Sequence, residues 1–333
     1  MKIMDSNYTK NELLRRCNPD ALYGVRRVEI ADGRGRGQRL IDVKTSGGLR
    51  ASFMEDRCLD VLDFEYKGVN LAFLSKNGLV PSSSIDVETD SFAKYWQGGF
   101  LLTCGLRNVG PPCTYEGEFF PLHGRVGFMP AEDVSVAVCE EEIVIAGKVR
   151  ETSLFGHNLE LSRKISIPSD GSKIIVHDKV SNLAPEAETI FLLYHINFGF
   201  PFLSEDLNLE FPPGEVKGRT VAAQEKIDTH TIITPPIDGE PEFVFFHMAD
   251  ERDARAELTN KPLGIKATVK YDSSCLPILA QWKCMKSGDY ALGIEPGTSF
   301  IRGRKDELED GYDLSVPGFG SLEFGFEVSL EDI

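Results

Sequence analysis

From Val25 onward the chain keeps returning to an alternation of apolar and polar residues in steps of two. Successive side chains of a β-strand point to opposite faces, so this pattern describes strands with one face against a core. Ile143, Ile145, Gly147 and Val149 share a face, and so do Leu159, Leu161, Ile165 and Ile167. Leu322, Phe324, Phe326, Val328 and Leu330 form the clearest run. Turn residues punctuate these segments at Pro168-Ser169-Asp170-Gly171, Pro212-Pro213-Gly214 and Asn260-Lys261-Pro262. Ile190-Phe191-Leu192-Leu193-Tyr194 and Cys275-Leu276-Pro277-Ile278-Leu279-Ala280 are apolar on both faces, as strands in the middle of stacked sheets are. No rhythm of strand and long helix is present, and no repeat with a period of about 20–50 residues. The expected fold is all-β, one large antiparallel β-sandwich over residues 24–333. Residues 1–23 are expected to be a helical extension, with helix formers at Asn11–Arg16 and a stop at Asn18-Pro19-Asp20.

A chain of 333 residues buries enough surface to fold without a disulfide or metal staple. Its 52 acidic against 36 basic side chains give a net charge of −16, which argues against nucleic acid and anionic membrane as partners. The seven cysteines are odd in number and show no C-x2-C spacing. The first twenty residues hold no apolar signal segment, and no apolar run approaches the ~20 residues of a membrane span. A cytoplasmic protein with reduced thiols is the simplest expectation.

Four segments carry candidate chemistry. Gly98–Pro112 is rich in glycine and contains the single cation Arg107. Leu122-His123-Gly124-Arg125 sets an imidazole beside a second guanidinium. In Tyr194-His195-Ile196-Asn197, His195 and Asn197 share one face of a strand, either as a tuned acid with its neighbour or as a satisfied core pair. In Leu292-Gly293-Ile294-Glu295-Pro296, a lone carboxylate sits in an apolar run, where desolvation raises its pKa, unless it is salt-bridged. The glycine-rich Asp32–Gly37 lacks the Lys-Ser/Thr ending of a phosphate loop and reads as a turn.

Taken in order, these segments resemble the galactose mutarotase-like superfamily, which includes the aldose 1-epimerases. Leu122-His123-Gly124, Tyr194-His195-Ile196-Asn197 and Ile294-Glu295-Pro296 follow the order of that family's motifs. The wording is most similar to a bacterial aldose-1-epimerase-like branch, through Arg57-Cys58-Leu59-Asp60, Cys104-Gly105-Leu106 and Trp282-Lys283. Asn197 departs from the family pattern by following His195 after a single residue. The resemblance implies a mutarotase-type supersandwich and interconversion of the anomers of a free aldose or related sugar, with no cofactor. It makes Glu295 the base and His195 the acid, with His123, Arg107, Arg125, Asn197, Arg57 and Asp60 as substrate-binding candidates. Three other readings compete: a non-catalytic carbohydrate-binding sandwich, a phosphosugar epimerase suggested by Arg57, Arg107 and Arg125, and a metal-dependent sugar enzyme using His123, His195 and Glu295.

Overall fold

The computed structural model describes residues 2–3, 6–86, 89 and 91–333. Every pairing between its strands is antiparallel, as the alternating sequence requires. An eight-stranded sheet runs in the order Glu132–Val138, Glu142–Thr152, Asn158–Pro168, Lys173–Asn182, Ser321–Asp332, Ile265–Asp272, Asp253–Asn260 and Leu207–Glu210. A six-stranded sheet runs Gly214–Gly218, Phe243–Ala249, Ile278–Cys284, Ala291–Gly297, Phe191–Phe198 and Leu101–Leu106. The C-terminal strand inserts between Lys173–Asn182 and Ile265–Asp272.

The three alternating runs bury the predicted faces. Ile143, Ile145, Val149, Leu159, Leu161, Ile165, Ile167, Phe324, Phe326 and Val328 join one core with Leu192, Tyr194, Ile196 and Phe198 from the six-stranded sheet. Each such side chain contributes roughly 1.5–3 kcal/mol on burial. Tyr194 and Phe326 meet across the layers at 4.7 Å between ring centroids. A further sheet of five strands, Gly24–Glu29 through Val69–Asn70, adds Phe53, Val61 and Phe64 to the same core. The glycine-rich Asp32–Gly37 is a turn ahead of the strand Arg39–Lys44.

At the N-terminus a helix spans Lys10–Leu14, started by a capping box in which Thr9 and Glu12 satisfy each other's amides. A one-turn 3-10 helix follows at Pro19–Ala21.

The strand Phe191–Phe198 is buried throughout. Its even-numbered residues face the inter-sheet core. Phe191 and Leu193 instead pack with Leu102, Cys104, Val244, Phe246 and Ile278 on the outer face of the six-stranded sheet. That second face carries the candidate site.

Candidate active site

His195 and Glu295 lie on neighbouring strands. The register pairs Leu193 with Gly297 and Ile196 with Ile294, which sets His195 opposite Glu295. Their side chains meet with His195 Nδ1 3.2 Å from Glu295 Oε1. Gly293, two residues before Glu295, leaves the space for this carboxylate: a Cβ there would stand 2.0 Å from Oε1. The Gly in the apolar run before Glu295 thus has a steric cause.

His123 arrives from a loop. Its amide donates to the Gly110 carbonyl at 2.9 Å, and its carbonyl accepts from the Gly105 amide at 3.0 Å. His123 has φ 60 and Gly124 φ 76, and a Cβ on Gly124 would lie 2.2 Å from the Gly105 oxygen. The Leu-His-Gly wording therefore reflects a left-handed turn clamped against a neighbouring backbone. The His123 and His195 rings stand edge to face, 5.6 Å apart.

His123, His195 and Glu295 line one pocket of about 260 Å³. Both tryptophans of the chain, Trp96 and Trp282, form its walls, with ring centroids 5.5 and 5.4 Å from that of His195. Phe92 and the Gly110-Pro111-Pro112 loop complete the apolar lining. Charged side chains occupy the mouth. Glu242 accepts a hydrogen bond from Trp282 Nε1 at 2.8 Å and lies 3.6 Å from an Arg219 nitrogen.

Burial dominates the electrostatics. It pushes the Glu295 carboxyl well above the usual carboxylate range, a rise that the positive charge of Arg219 opposes. It pushes the His195 imidazole down to about 4, against the hydrogen bond that its ring donates to Asn197, and holds His123 well below the ordinary histidine range. Burial therefore favours a protonated Glu295 and uncharged imidazoles. His123 Nδ1, Trp96 Nε1 and Glu295 Oε1 are buried without a hydrogen-bond partner. Native proteins seldom leave such atoms unsatisfied. Among the described residues, no group of three or more His, Cys, Asp or Glu is gathered to hold a metal ion.

The structure brings together three of the residues singled out from the sequence, His123, His195 and Glu295, and places the other five outside the pocket lining. Asn197 was expected at the sugar but is fully buried beside His195. Arg107 is held between Glu118 at 2.5 Å and Glu188 at 3.3 Å, above the Phe120 ring. Arg125 donates to the Phe119 carbonyl at 2.7 Å in the same cluster. Arg57 is buried and donates to the Val80 carbonyl and, at 2.5 Å, to Gln97. Asp60 accepts from the amide and hydroxyl of Thr103 and from Arg163, deep between the sheets. In each case the side chain's polar groups are engaged by the protein itself, away from the pocket lining.

Sequence reasoning missed Phe92, Trp96, Arg219 and Glu242. They come from a short helix, a sheet-edge turn and a loop, where no periodicity marks them. The scarcity of tryptophan was a usable signal, since both copies face the pocket.

Residues 35–330 match the family model described as a domain of unknown function, DUF4432. The chain belongs to that family. No curated protein matches the chain in sequence. Among solved structures, it is similar to a candidate aldose 1-epimerase from Klebsiella pneumoniae, at a TM-score of 0.87 and 24% identity over 95% of this chain and 87% of that one. A galactose mutarotase-like protein from Clostridium acetobutylicum matches at a TM-score of 0.68 and 14% identity, covering 94% of this chain and 100% of the other. Galactose 1-epimerase from Lactobacillus acidophilus matches at 0.62 and 12% identity, covering 93% and 99%. At these identities the likeness establishes the galactose mutarotase-like sandwich. Among the described residues, no helix of this family member is long and apolar enough to cross a membrane.

Proposed function

We propose that this protein interconverts the anomers of a free aldose or related sugar by opening and reclosing the ring at C1. The observation that carries the reading is the convergence of His123, His195 and Glu295, distant in the chain, on one aromatic-walled pocket with unpartnered polar atoms. Ring opening removes the proton of the C1 hydroxyl and delivers one to the ring oxygen. Glu295 and His195 are the pair that exchanges these protons, Glu295 as base at the C1 hydroxyl and His195 as acid at the ring oxygen. The one exchangeable proton, which burial favours on Glu295, passes to His195 before opening; the roles reverse on closure, so that proton serves a full cycle. A positioned acid or base contributes about 10²–10⁴-fold to such a step.

His123 donates or accepts near the ring oxygen, where charge develops. Trp96 and Trp282 offer flat apolar surface to the C–H face of a pyranose. Arg219 and Glu242, at the mouth, present a donor fork and an acceptor to outward hydroxyls. The exclusion of water by these walls strengthens each polar contact inside.

Saturation-transfer NMR on a panel of neutral aldoses, uronic acids and sugar phosphates tests the reading. Exchange between anomers above the buffer rate is expected for the wild type, and its loss for Glu295→Gln and His195→Asn with the fold retained. Wild-type exchange in either variant overturns the assignment. Sugar binding without any acceleration by the wild type makes the protein a binding module instead.

A further inference from the structure

Asn197 has every hydrogen-bonding group engaged. Its backbone amide donates to the Phe100 carbonyl at 2.7 Å, and its carbonyl accepts from the Phe73 amide at 3.2 Å. The side-chain nitrogen donates to the carbonyls of Gly99 and of His195 itself, each at 3.0 Å. A carboxamide has two N–H donors, and both are used here. Turned over, the amide would press its oxygen against two carbonyl oxygens, so its orientation is fixed.

The remaining atom, Oδ1, can only accept, and it lies 2.5 Å from His195 Nδ1. A contact of that length between two acceptors is repulsive, so a proton belongs on Nδ1. Glu295 Oε1 stands 3.2 Å from the same nitrogen but makes no hydrogen bond to it. The other ring nitrogen, Nε2, has no hydrogen bond to a described residue, on a side chain that lines the pocket. Trp96, Trp282 and His123 surround the ring at 5.4–5.6 Å between centroids and resist its turning over. The titratable and charged groups that face His195 are Glu295 and His123, with Arg219 farther out along the pocket wall.

We propose that Asn197 is a positioning residue that keeps His195 protonated at Nδ1, so that Nε2 alone exchanges a proton with the ligand. The identity of that ligand as a sugar rests on the function proposed above; the tautomer does not. Before opening, the proton that burial keeps on Glu295 passes to Nε2; in the opening step it leaves Nε2 for the ring oxygen as the ring C–O bond breaks, Glu295 takes the C1 hydroxyl proton as the C1 carbonyl forms, and the pair left on Nε2 takes its proton back on closure. Nδ1 keeps its proton throughout.

The test is ¹⁵N NMR of the labelled full chain at neutral pH, with the His195 signals assigned by their disappearance in His195→Asn. The expected result is a protonated, pyrrole-type Nδ1 and a bare, pyridine-type Nε2. The reverse pattern, or rapid averaging of the two, overturns the proposal. In Asn197→Ala the two signals are expected to move toward an average. There kcat for anomer exchange falls about 10-fold, part of the about 10²–10⁴-fold that a positioned acid supplies, with KM within about twofold. An unchanged tautomer in a folded Asn197→Ala overturns the role of Asn197. If that variant does not fold, the wild-type spectrum still decides the tautomer, and a shift confined to Nε2 on acidification past about pH 4 supports it. A wild type inactive on every sugar removes the proposed function while leaving this spectrum to stand or fall separately.

Discussion

One strand, Phe191–Phe198, shows two ways of burying polar groups. Tyr194 faces the space between the sheets, where its hydroxyl donates to Asp178 at 2.9 Å. Beside it, Arg163 is fully buried with all five N–H groups donated: two to Asp178, and one each to Asp60, the Cys58 carbonyl and Thr103. Burial raises the Asp60 carboxyl to about 6, with Arg163 and Thr103 holding it from rising further. Nothing there awaits a partner. On the outer face of the same strand, His195 stands among Glu295, His123 and Trp96, which between them keep three unpartnered buried polar atoms. A closed network specifies structure, whereas an open one stores binding capacity for a ligand. The distinction is drawn by counting donors and acceptors, since both faces are equally buried.

The largest expected effect lies on the open face. Glu295→Gln should cost about 10²–10⁴-fold in anomer exchange, equivalent to about 3–5 kcal/mol of transition-state stabilisation, with the far-ultraviolet dichroism unchanged. On the closed face the same order of energy should appear as lost stability. Arg163→Leu leaves Asp60 and Asp178 buried without their cation and should cost about 3–5 kcal/mol in denaturant unfolding. If it unfolds no earlier than wild type, the inner network is not structural and the contrast between the faces fails.

Gly293→Ala is a smaller and more local probe. Its Cβ must displace the Glu295 carboxylate, at 2.0 Å, or the Trp282 Cβ, at 3.0 Å. An expected fall of about tenfold in kcat, with a stability cost of about 1–3 kcal/mol from overpacking, would tie the glycine to the carboxylate. Unchanged kinetics would show that Glu295 need not sit where it does.

The same contrast explains what the sequence made legible. The sandwich was readable because strand alternation is local and repeated, and Phe324, Phe326 and Val328 needed no distant partner to be assigned inward. The three converging residues were readable through the wording around them, and two of the flanking glycines have steric reasons in the structure, at Gly124 and Gly293. The arginines were not readable. A guanidinium looks the same in a chain whether it awaits a ligand or is sealed by Asp178 and Asp60, because its acceptors come from distant segments. Arg163 did leave one trace: it interrupts the buried face formed by Leu159, Leu161, Ile165 and Ile167, a position where alternation calls for an apolar residue. Arg57, Arg107 and Arg125 lie in irregular or both-sides-buried segments where no such interruption shows. Arg219 and Glu242 escaped because they flank strands of the six-stranded sheet at its far edge, with no motif around them.

The smallest effect separates a ligand-awaiting carboxylate from a structural one by the sign of its contribution to stability. Glu295 ionises near pH 4.3 in an unfolded chain, about the ordinary glutamate value, but only at higher pH when folded. Between those two values the unfolded chain has lost a proton that the folded one keeps, so rising pH draws the equilibrium toward unfolding. Its contribution is intact below about pH 4.3 and erodes above it. The carboxamide that Glu295→Gln introduces cannot ionise. A thermal-unfolding series should therefore show that variant matching wild type near pH 4 and pulling ahead toward pH 7. The gain should be about 2–4 °C for each kcal/mol recovered. His195 works in the opposite direction, with a folded value of about 4 against about 6.5 unfolded, and erodes stability as pH falls between them in both proteins alike. The difference between the two melting curves therefore isolates the carboxylate. A variant that loses ground to wild type as pH rises would mean that ionised Glu295 is stabilised within the fold, placing it with the closed network around Arg163 and withdrawing the reason for treating the outer face as a site.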